Sequence, residues 1–342
     1  MDRHRTDFKW TYYYVTLMIK HLFKLLRPHQ WTKNLFCLAG LFFSGKFLEP
    51  AAIAEAFLAV AMFSFMASVV YIFNDIQDVE RDREHPKKRY RPIASGKISV
   101  KAATAIALFL IVVALLIAYS LGMPVLVCLV LYAGINISYS LKLKHLALFD
   151  VNCIALGFVL RLLAGVYAIE VIPTGWITLC TFFLALFLGF AKRRSELLGL
   201  LSNKMTQDFL DRQESESIEI AKPVSELFYL QLFYQRGQAN PQRPVLSQYT
   251  LPFLDSLLNS TATMTVMCYA LFTAISGKNP SLVITVPIVH YAVMHYKHLV
   301  MVREGGEEPD RILIKDARIK LSILIWLISY FLIIYSNVNL FA

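Results

Sequence analysis

The segment from Tyr71 to Ser99 contains four side chains whose types and spacing suit metal binding. They are Asn74, Asp75, Asp78 and Asp82, and they share one face if the preceding helix continues through them. Carboxylates held together at a membrane edge repel one another and lose hydration, so they require a cation. Mg²⁺ fits because its usual ligands are one or two carboxylates and the phosphate oxygens of a substrate. The segment therefore predicts a site for magnesium and a diphosphate, unless these acids only solvate a helix end.

A basic run follows the acidic cluster, at Lys87, Lys88, Arg89 and Arg91. These cations could bind phosphate groups. A second explanation stays open, because cytoplasmic loops of membrane proteins are rich in Lys and Arg whatever their chemistry.

The composition is that of a polytopic membrane protein. Hydrophobic residues make up 57% of the 342 residues and charged residues 17%, whereas an ordinary soluble protein is about 45–50% apolar. The charges are bunched between apolar runs of the length that a bilayer-spanning helix needs. The five cysteines all lie within apolar runs, so they are interpreted as core residues without a disulfide or metal role.

Nine candidate spans and the Lys and Arg distribution define a topology. The spans are 31–48, 51–74, 101–121, 123–140, 147–169, 174–191, 260–277, 281–300 and 320–339. With the N-terminus inside and the C-terminus outside, all but three of the 34 Lys and Arg residues lie in or at inner segments. The exceptions are Lys46, Arg161 and Lys278. The net charge of +10 is therefore a signal of membrane topology that could also serve phosphate binding, and it is not evidence for nucleic-acid binding.

The remaining segments are assigned to the same domain, so residues 1–342 are predicted to form a single membrane domain. Residues 8–26 mix apolar positions with lysines and predict an interfacial helix, and residues 202–247 form a long polar insertion on the cytosolic side. Within the spans, Arg161 marks a site by default, because a deep arginine is costly in a bilayer, although an ion pair with a neighbouring helix is the alternative. Lys33 lies about one turn into the first span and either reaches a cytosolic cavity or extends to the interface.

Several motifs resemble the UbiA-type intramembrane prenyltransferase superfamily. They are the NDIQDVERD cluster and the RPIASG run from Arg91 to Gly96, with RPHQWTKN, YSLKLKH, GFVLRLLAG, KRRSELL, RPVLSQYTLPFLD and GGEEPDRILIKD in order along the chain. The full set is more similar to a branch of phosphoribosyltransferases that act on decaprenyl-type phosphates. The resemblance extends over about 27–339.

This resemblance implies an all-α fold of nine transmembrane helices around a cytosol-facing cavity, in the inner (plasma) membrane. It implies a Mg²⁺-dependent glycosyltransferase that joins phosphoribosyl diphosphate to a polyprenyl phosphate for cell-envelope polysaccharide synthesis. The implied catalytic and metal-binding residues are Asp75, Asp78 and Asp82. The implied substrate-binding residues are Lys33, Asn74, Lys88, Arg91, Tyr139, Lys144, Arg161 and Lys192.

Two departures from the family pattern bear on the choice of reaction. Aromatic prenyltransferases carry a second DxxxD motif, but here that region offers Lys144 and a single Asp150. The 202–247 insertion is also longer than the branch predicts. Three alternatives stay open: prenyl transfer to an aromatic or other small acceptor, transport, and a lipid-binding scaffold without catalysis. The expected partners are the two substrates and membrane lipids, and the sequence is also compatible with a homo-oligomer.

Overall fold

The computed structural model describes residues 18–215, 244–277, 279–302, 312, 315–335 and 340, with the backbone alone for 203–215. Every regular element in these ranges is a helix, which confirms the all-α class. Residues 8–17 of the predicted interfacial helix and 216–243 of the predicted insertion lie outside the described residues, as does most of the GGEEPDRILIKD loop.

The α-helices are numbered along the described chain. They are α1 (residues 18–26), α2 (Ala39–Ser44), α3 (Pro50–Gln77), α4 (Val79–Glu84), α5 (Val100–Ser120), α6 (Met123–Leu141), α7 (Phe149–Ala168), α8 (Gly175–Ser215), α9 (Leu251–Ile275), α10 (Val286–Val302) and α11 (Ala317–Tyr335). Short 3₁₀ helices lie at Pro28–Leu38, Lys88–Tyr90, Leu143–His145, Pro244–Gln248 and Pro280–Thr285.

Seven of these helices are long and apolar enough to cross a membrane: α3, α5, α6, α7, α9, α11 and the first 28 residues of α8. They match seven of the nine predicted spans, and their ends follow local sequence signals. The Ser99 hydroxyl accepts the Ala102 N–H at 3.2 Å and starts α5, and the Thr250 hydroxyl accepts the Phe253 N–H at 3.4 Å and starts α9. Both are N-caps that satisfy otherwise orphaned backbone donors.

The other two predicted spans, 31–48 and 281–300, are interrupted rather than continuous. Each is a 3₁₀ helix followed by an α-helix, which has 6 residues in the first span and 17 in the second, so the count of nine spanning helices stays a prediction. In the second span, Pro287 has no N–H to donate to residue 283, which favours the change of helix type near this position. The first begins at Pro28 and stops at Gly45, whose φ of 82° ends α2.

The described residues cluster into two compact units, and the first consists of residues up to 140 together with 160–173. Phe63, Leu129 and Ala164 are fully buried in its main core. A second cluster joins Leu25 of α1 to Ile72 of α3. The segment 28–38 packs closely on α7 because glycine stands at position 165.

Gly165→Ala is expected to destabilise this unit. A Cβ at Gly165 would lie 1.9 Å from the Cys37 carbonyl oxygen, so backbone has to move. Overpacking costs about 1–3 kcal/mol and opposes the gain in helix propensity that alanine brings. The measurement is the thermal midpoint of purified protein in detergent. Gly134→Ala is the control, because nothing lies within 4 Å of a Cβ there; equal midpoints for the two variants would contradict the packing argument.

The second unit consists of residues 141–159 and 174 onward. Its core surrounds Phe187 and Tyr249, and Gly189 allows α8 to approach Val151. Arg194 connects three helices: its Nε donates to Asp255 at 2.5 Å and its Nη1 donates to the Val300 carbonyl at 3.1 Å. Helix α7 contributes its first half to this unit and its second half to the first unit.

Candidate active site

Asp75 and Asp82 lie on one face of the helical segment in which α3 and α4 meet at Asp78. The Asp78 N–H donates to the Asn74 carbonyl at 2.9 Å and the Asp82 N–H donates to the Asp78 carbonyl at 2.8 Å, so the helical hydrogen-bond pattern continues across the junction. Residues seven apart are therefore two turns apart on the same side. Asp75 and Asp82 are each only 2% exposed. The two form a buried acidic pair.

Two arginines neutralise this pair in the structure. Arg91 Nη1 bridges both carboxylates, at 3.0 Å from Asp75 and 2.6 Å from Asp82. Arg27 Nη2 approaches Asp75 at 2.6 Å, and its guanidinium lies 4.9 Å from the centre of the Tyr71 ring. Buried carboxylates need such partners because an isolated buried charge is costly.

Asp78 is placed differently from the other two acids. It is half-exposed, and its carboxylate lies 3.6 Å from Nη1 of the exposed Arg81. Across the described ranges no three His, Cys, Asp or Glu side chains are grouped closely enough to hold a metal ion. The structure thus brings together two of the three predicted metal ligands, and the three-carboxylate site stays a prediction.

The buried acidic pair fits a divalent cation by its chemistry. Both groups offer hard carboxylate oxygens, which are the ligands that Mg²⁺ prefers. The Arg91 guanidinium, bonded to both carboxylates, already places positive charge between them. Asp75 and Asp82 could therefore hold a divalent ion if Arg91 turned away, with Asp78 and Asn74 nearby along the chain.

Arg161 forms a separate buried network in the first unit. Its Nε donates to Asn34 Oδ1 at 2.7 Å and its Nη2 donates to the Tyr132 hydroxyl at 2.9 Å. The guanidinium also lies 4.7 Å from the Tyr132 ring centre. Asn34 in turn donates to Ser64 at 3.0 Å. These contacts join α7 to the 28–38 segment and α6, so Arg161 has a clear structural role besides any role in binding.

The predicted basic residues differ in whether their charged groups have hydrogen-bond or ion-pair partners. Lys33 Nζ donates to Gln30 at 2.9 Å. The ammonium groups of Lys88, Lys144 and Lys192 make no hydrogen bond or ion pair with any residue that the structure describes, and all three side chains are partly buried. Such cations are available to bind anions. Tyr139, near the end of α6, is partly buried.

The position of the second acidic motif is occupied by a carboxylate that is fully engaged. Asp150 is 0% exposed, accepts from Arg193 Nε at 2.7 Å and accepts from the Tyr249 hydroxyl at 2.8 Å. Arg193 also pairs with Glu196. Burial and the neighbouring Asp150 raise the pKa of Tyr249, so its phenol stays protonated and donates. Asp150 therefore serves this network in the structure.

Among the network residues that were not predicted from the sequence, Arg27, Arg193 and Tyr249 contact the acidic residues directly. Each lies in a motif that was recognised, at RPHQWTKN, KRRSELL and RPVLSQYTLPFLD. Their partners are 48, 43 and 99 residues away along the chain. Spacing along the chain could not have predicted these three contacts. Membership of a recognised motif was the only feature of the sequence that marked Arg27, Arg193 and Tyr249.

Comparison with known proteins agrees with this fold. Residues 34–195 match the UbiA prenyltransferase family, and solved structures of UbiA homologues superpose on nearly the whole chain. A homologue from Archaeoglobus fulgidus bound to GPP and Mg²⁺ covers 92% of this chain and 99% of its own, with a TM-score of 0.62 and 18% identity. Another structure of the homologue is bound to Cd²⁺. The chain is thus similar to the UbiA prenyltransferase family over residues 34–195, and its fold is similar to that of UbiA homologues over nearly its whole length.

Over most of its length, the chain is similar to curated decaprenyl-phosphate phosphoribosyltransferases. The Mycolicibacterium smegmatis protein is 28% identical over 91% of this chain and 91% of its own length. The Corynebacterium glutamicum protein is 28% identical over 92% and 86%, and the Mycobacterium tuberculosis protein is 27% identical over 91% and 93%. The predicted resemblance is confirmed along nearly the entire sequence.

Proposed function

We propose that this protein transfers phosphoribose from phosphoribosyl diphosphate to a polyprenyl phosphate and releases diphosphate. The similarity to curated phosphoribosyltransferases supports this reaction. One structural observation favours it over prenyl transfer. The only carboxylate at the second acidic position, Asp150, is committed to Arg193 and Tyr249, while the nearby Lys144 ammonium has no partner in the described part of the chain. A cation there suits a phosphate better than a metal.

The reaction breaks the bond between the ribose anomeric carbon and a diphosphate oxygen, and both electrons leave with the diphosphate. An oxygen of the lipid phosphate forms the new bond to that carbon. The lipid phosphate is already ionised at neutral pH, so the site needs no general base. The protein must instead hold two anionic substrates together and stabilise the charge on the departing diphosphate.

In the proposed mechanism, arginine and lysine side chains bind the two anionic substrates and provide most of the charge stabilisation. Arg27 and Arg91 lie beside the acidic pair, and a guanidinium group matches the geometry of phosphate oxygens. Lys33, Lys88, Lys144, Arg161 and Lys192 supply further positive charge. Without these cations, the two substrates would repel each other. We assign Asn74 and Tyr139 to substrate orientation.

Asp75, Asp82 and Asp78 would hold the divalent ion, which we propose to be Mg²⁺. When bound, such an ion neutralises charge on a departing diphosphate. The buried position of Asp75 and Asp82 excludes water from this pair, so their interactions with cations are stronger than at the surface.

The acidic segment is proposed to face the cytosol, in a bundle of nine spans with the N-terminus inside. The concentration of Lys and Arg in the inner segments supports this topology. A cysteine introduced at the exposed Ser95 should react with a membrane-impermeant thiol reagent only in inverted vesicles. The five natural cysteines are buried, which lowers the background. Labelling of Ser95→Cys in right-side-out vesicles would contradict the topology.

A direct assay tests the proposed reaction. Purified protein is incubated with Mg²⁺, labelled phosphoribosyl diphosphate and a polyprenyl phosphate, and label is expected in the lipid phase. Parallel reactions with a prenyl diphosphate and an aromatic acceptor test the alternative. Transfer in the second reaction without any in the first would overturn the proposed function.

A further inference from the structure

The loop before α7 is held by side chains that come from the segment before α9. We propose that Tyr249 is a positioning residue, which, together with Gln248, fixes this loop so that Lys144 meets a phosphate of the substrate. The proposal rests on the proposed function and adds to it a residue set that acts through Lys144.

Gln248 and Tyr249 together bind four residues between His145 and Asp150. Gln248 Nε2 donates to the His145 carbonyl at 2.9 Å and its Oε1 accepts the Ala147 N–H at 3.0 Å. The Tyr249 hydroxyl accepts the Leu148 N–H at 2.6 Å and donates to Asp150 at 2.8 Å. These four contacts define the loop clamp.

The loop clamp holds a backbone conformation that the loop sequence does not favour. Leu148 has a φ of 68°, in the left-handed region that leucine rarely adopts. Such a conformation persists only where surrounding contacts determine it, and it is concentrated at functional sites. The Leu148 N–H is satisfied by Tyr249, which is itself 0% exposed and therefore fixed by packing. The loop thus takes its shape from a segment about 100 residues away.

Lys144 is the residue whose place depends on this shape. It lies in the 3₁₀ helix Leu143–His145, directly before the first clamped carbonyl. Its ammonium has no partner among the residues that the structure describes, and its side chain is partly buried. A single flexible cation loses binding energy when its backbone is free, because ordering it costs conformational entropy. The clamp removes that cost before the substrate arrives.

The first test is a double-mutant cycle of Tyr249→Phe and Lys144→Ala. Tyr249→Phe removes one hydroxyl and leaves the ring. It should raise the KM of the same phosphate substrate that Lys144→Ala affects, by about fivefold to tenfold, with kcat changed less than threefold. In the Lys144→Ala background, Tyr249→Phe should change KM by less than twofold, because the effect passes through Lys144. Equal effects in both backgrounds would overturn the proposal.

A matched control separates positioning from a general loss of stability. Tyr269→Phe also removes a buried hydroxyl with two partners in the second unit, Thr285 and Trp326, both at 2.7 Å. Its thermal midpoint should fall by an amount similar to that of Tyr249→Phe, while KM stays unchanged. A KM increase in Tyr269→Phe equal to that in Tyr249→Phe would overturn the positioning role.

Two further measurements keep the proposal testable. Gln248 is exposed, so Gln248→Ala should fold even if Tyr249→Phe does not, and it should show the same coupling to Lys144. Hydrogen exchange of residues 142–150 should become faster in both variants, which tests the loop clamp without any substrate. Unchanged exchange rejects the clamp. If the wild type transfers no phosphoribose, the proposed function fails. The double-mutant cycle is then repeated with the diphosphate substrate that the wild type does use, and its outcome decides whether Tyr249 positions Lys144.

Discussion

Asp82→Asn is expected to lower kcat/KM for phosphoribosyl transfer by at least about 100-fold, the size typical for loss of one preorganised electrostatic group. Asparagine keeps the size of the side chain but removes a charge from a pair that is almost completely buried. Affinity for Mn²⁺, measured by electron paramagnetic resonance, should fall as well. The fold should persist, because the amide oxygen can still accept from Arg91, now 2.6 Å from the carboxylate.

Glu80→Gln is the matched control for this prediction. Glu80 lies on the same short helix, α4, but is exposed and paired with Arg83 at 2.9 Å. An exposed ion pair contributes little, so activity and Mn²⁺ affinity should stay near wild type. Wild-type magnesium-dependent activity in Asp82→Asn, with Glu80→Gln equally active, would show that the acidic pair does not hold the metal.

Much of the fold could be predicted because hydrophobic length is a direct requirement of the bilayer. Seven predicted spans correspond to continuous helices for that reason. Hydropathy does not report local helix geometry, however. The 281–300 span is largely apolar, and the missing N–H of Pro287 is the sequence signal for its change from a 3₁₀ helix to an α-helix.

The site was predictable only where its geometry is local. Asp75 and Asp82 are seven residues apart in one helical segment, so their spacing alone placed them together. The Arg27 contact with Asp75 and the Tyr249 contact with Asp150 depend on how distant segments pack. One sequence carries no record of such pairs. For this reason the sequence showed only that a single Asp150 stands in the region of the second acidic motif, whereas the structure shows it as the acceptor in a buried network.

We expect the lysine at position 144 to separate phosphoribosyl transfer from prenyl transfer. Lys144→Ala should weaken the use of phosphoribosyl diphosphate or polyprenyl phosphate by at least about tenfold, because a charge-assisted hydrogen bond contributes roughly 1.5–3 kcal/mol. The measurement is kcat/KM for each substrate with the other saturating. The thermal midpoint should change little, since the ammonium makes no hydrogen bond or ion pair with any described residue.

Lys142→Ala tests whether the position of the charge matters rather than its presence. Lys142 lies in the same loop and also lacks a partner within the described ranges. Unlike the partly buried Lys144, it is exposed and lies outside the 3₁₀ helix that directly precedes the clamp. Its loss should change kcat/KM by less than twofold, since an exposed charge is screened by solvent and salt. Equal losses in the two variants would indicate a general effect of loop charge. A wild type that uses prenyl diphosphate with an aromatic acceptor, and is indifferent to Lys144→Ala, would place the protein in the prenyl-transferring branch of the family.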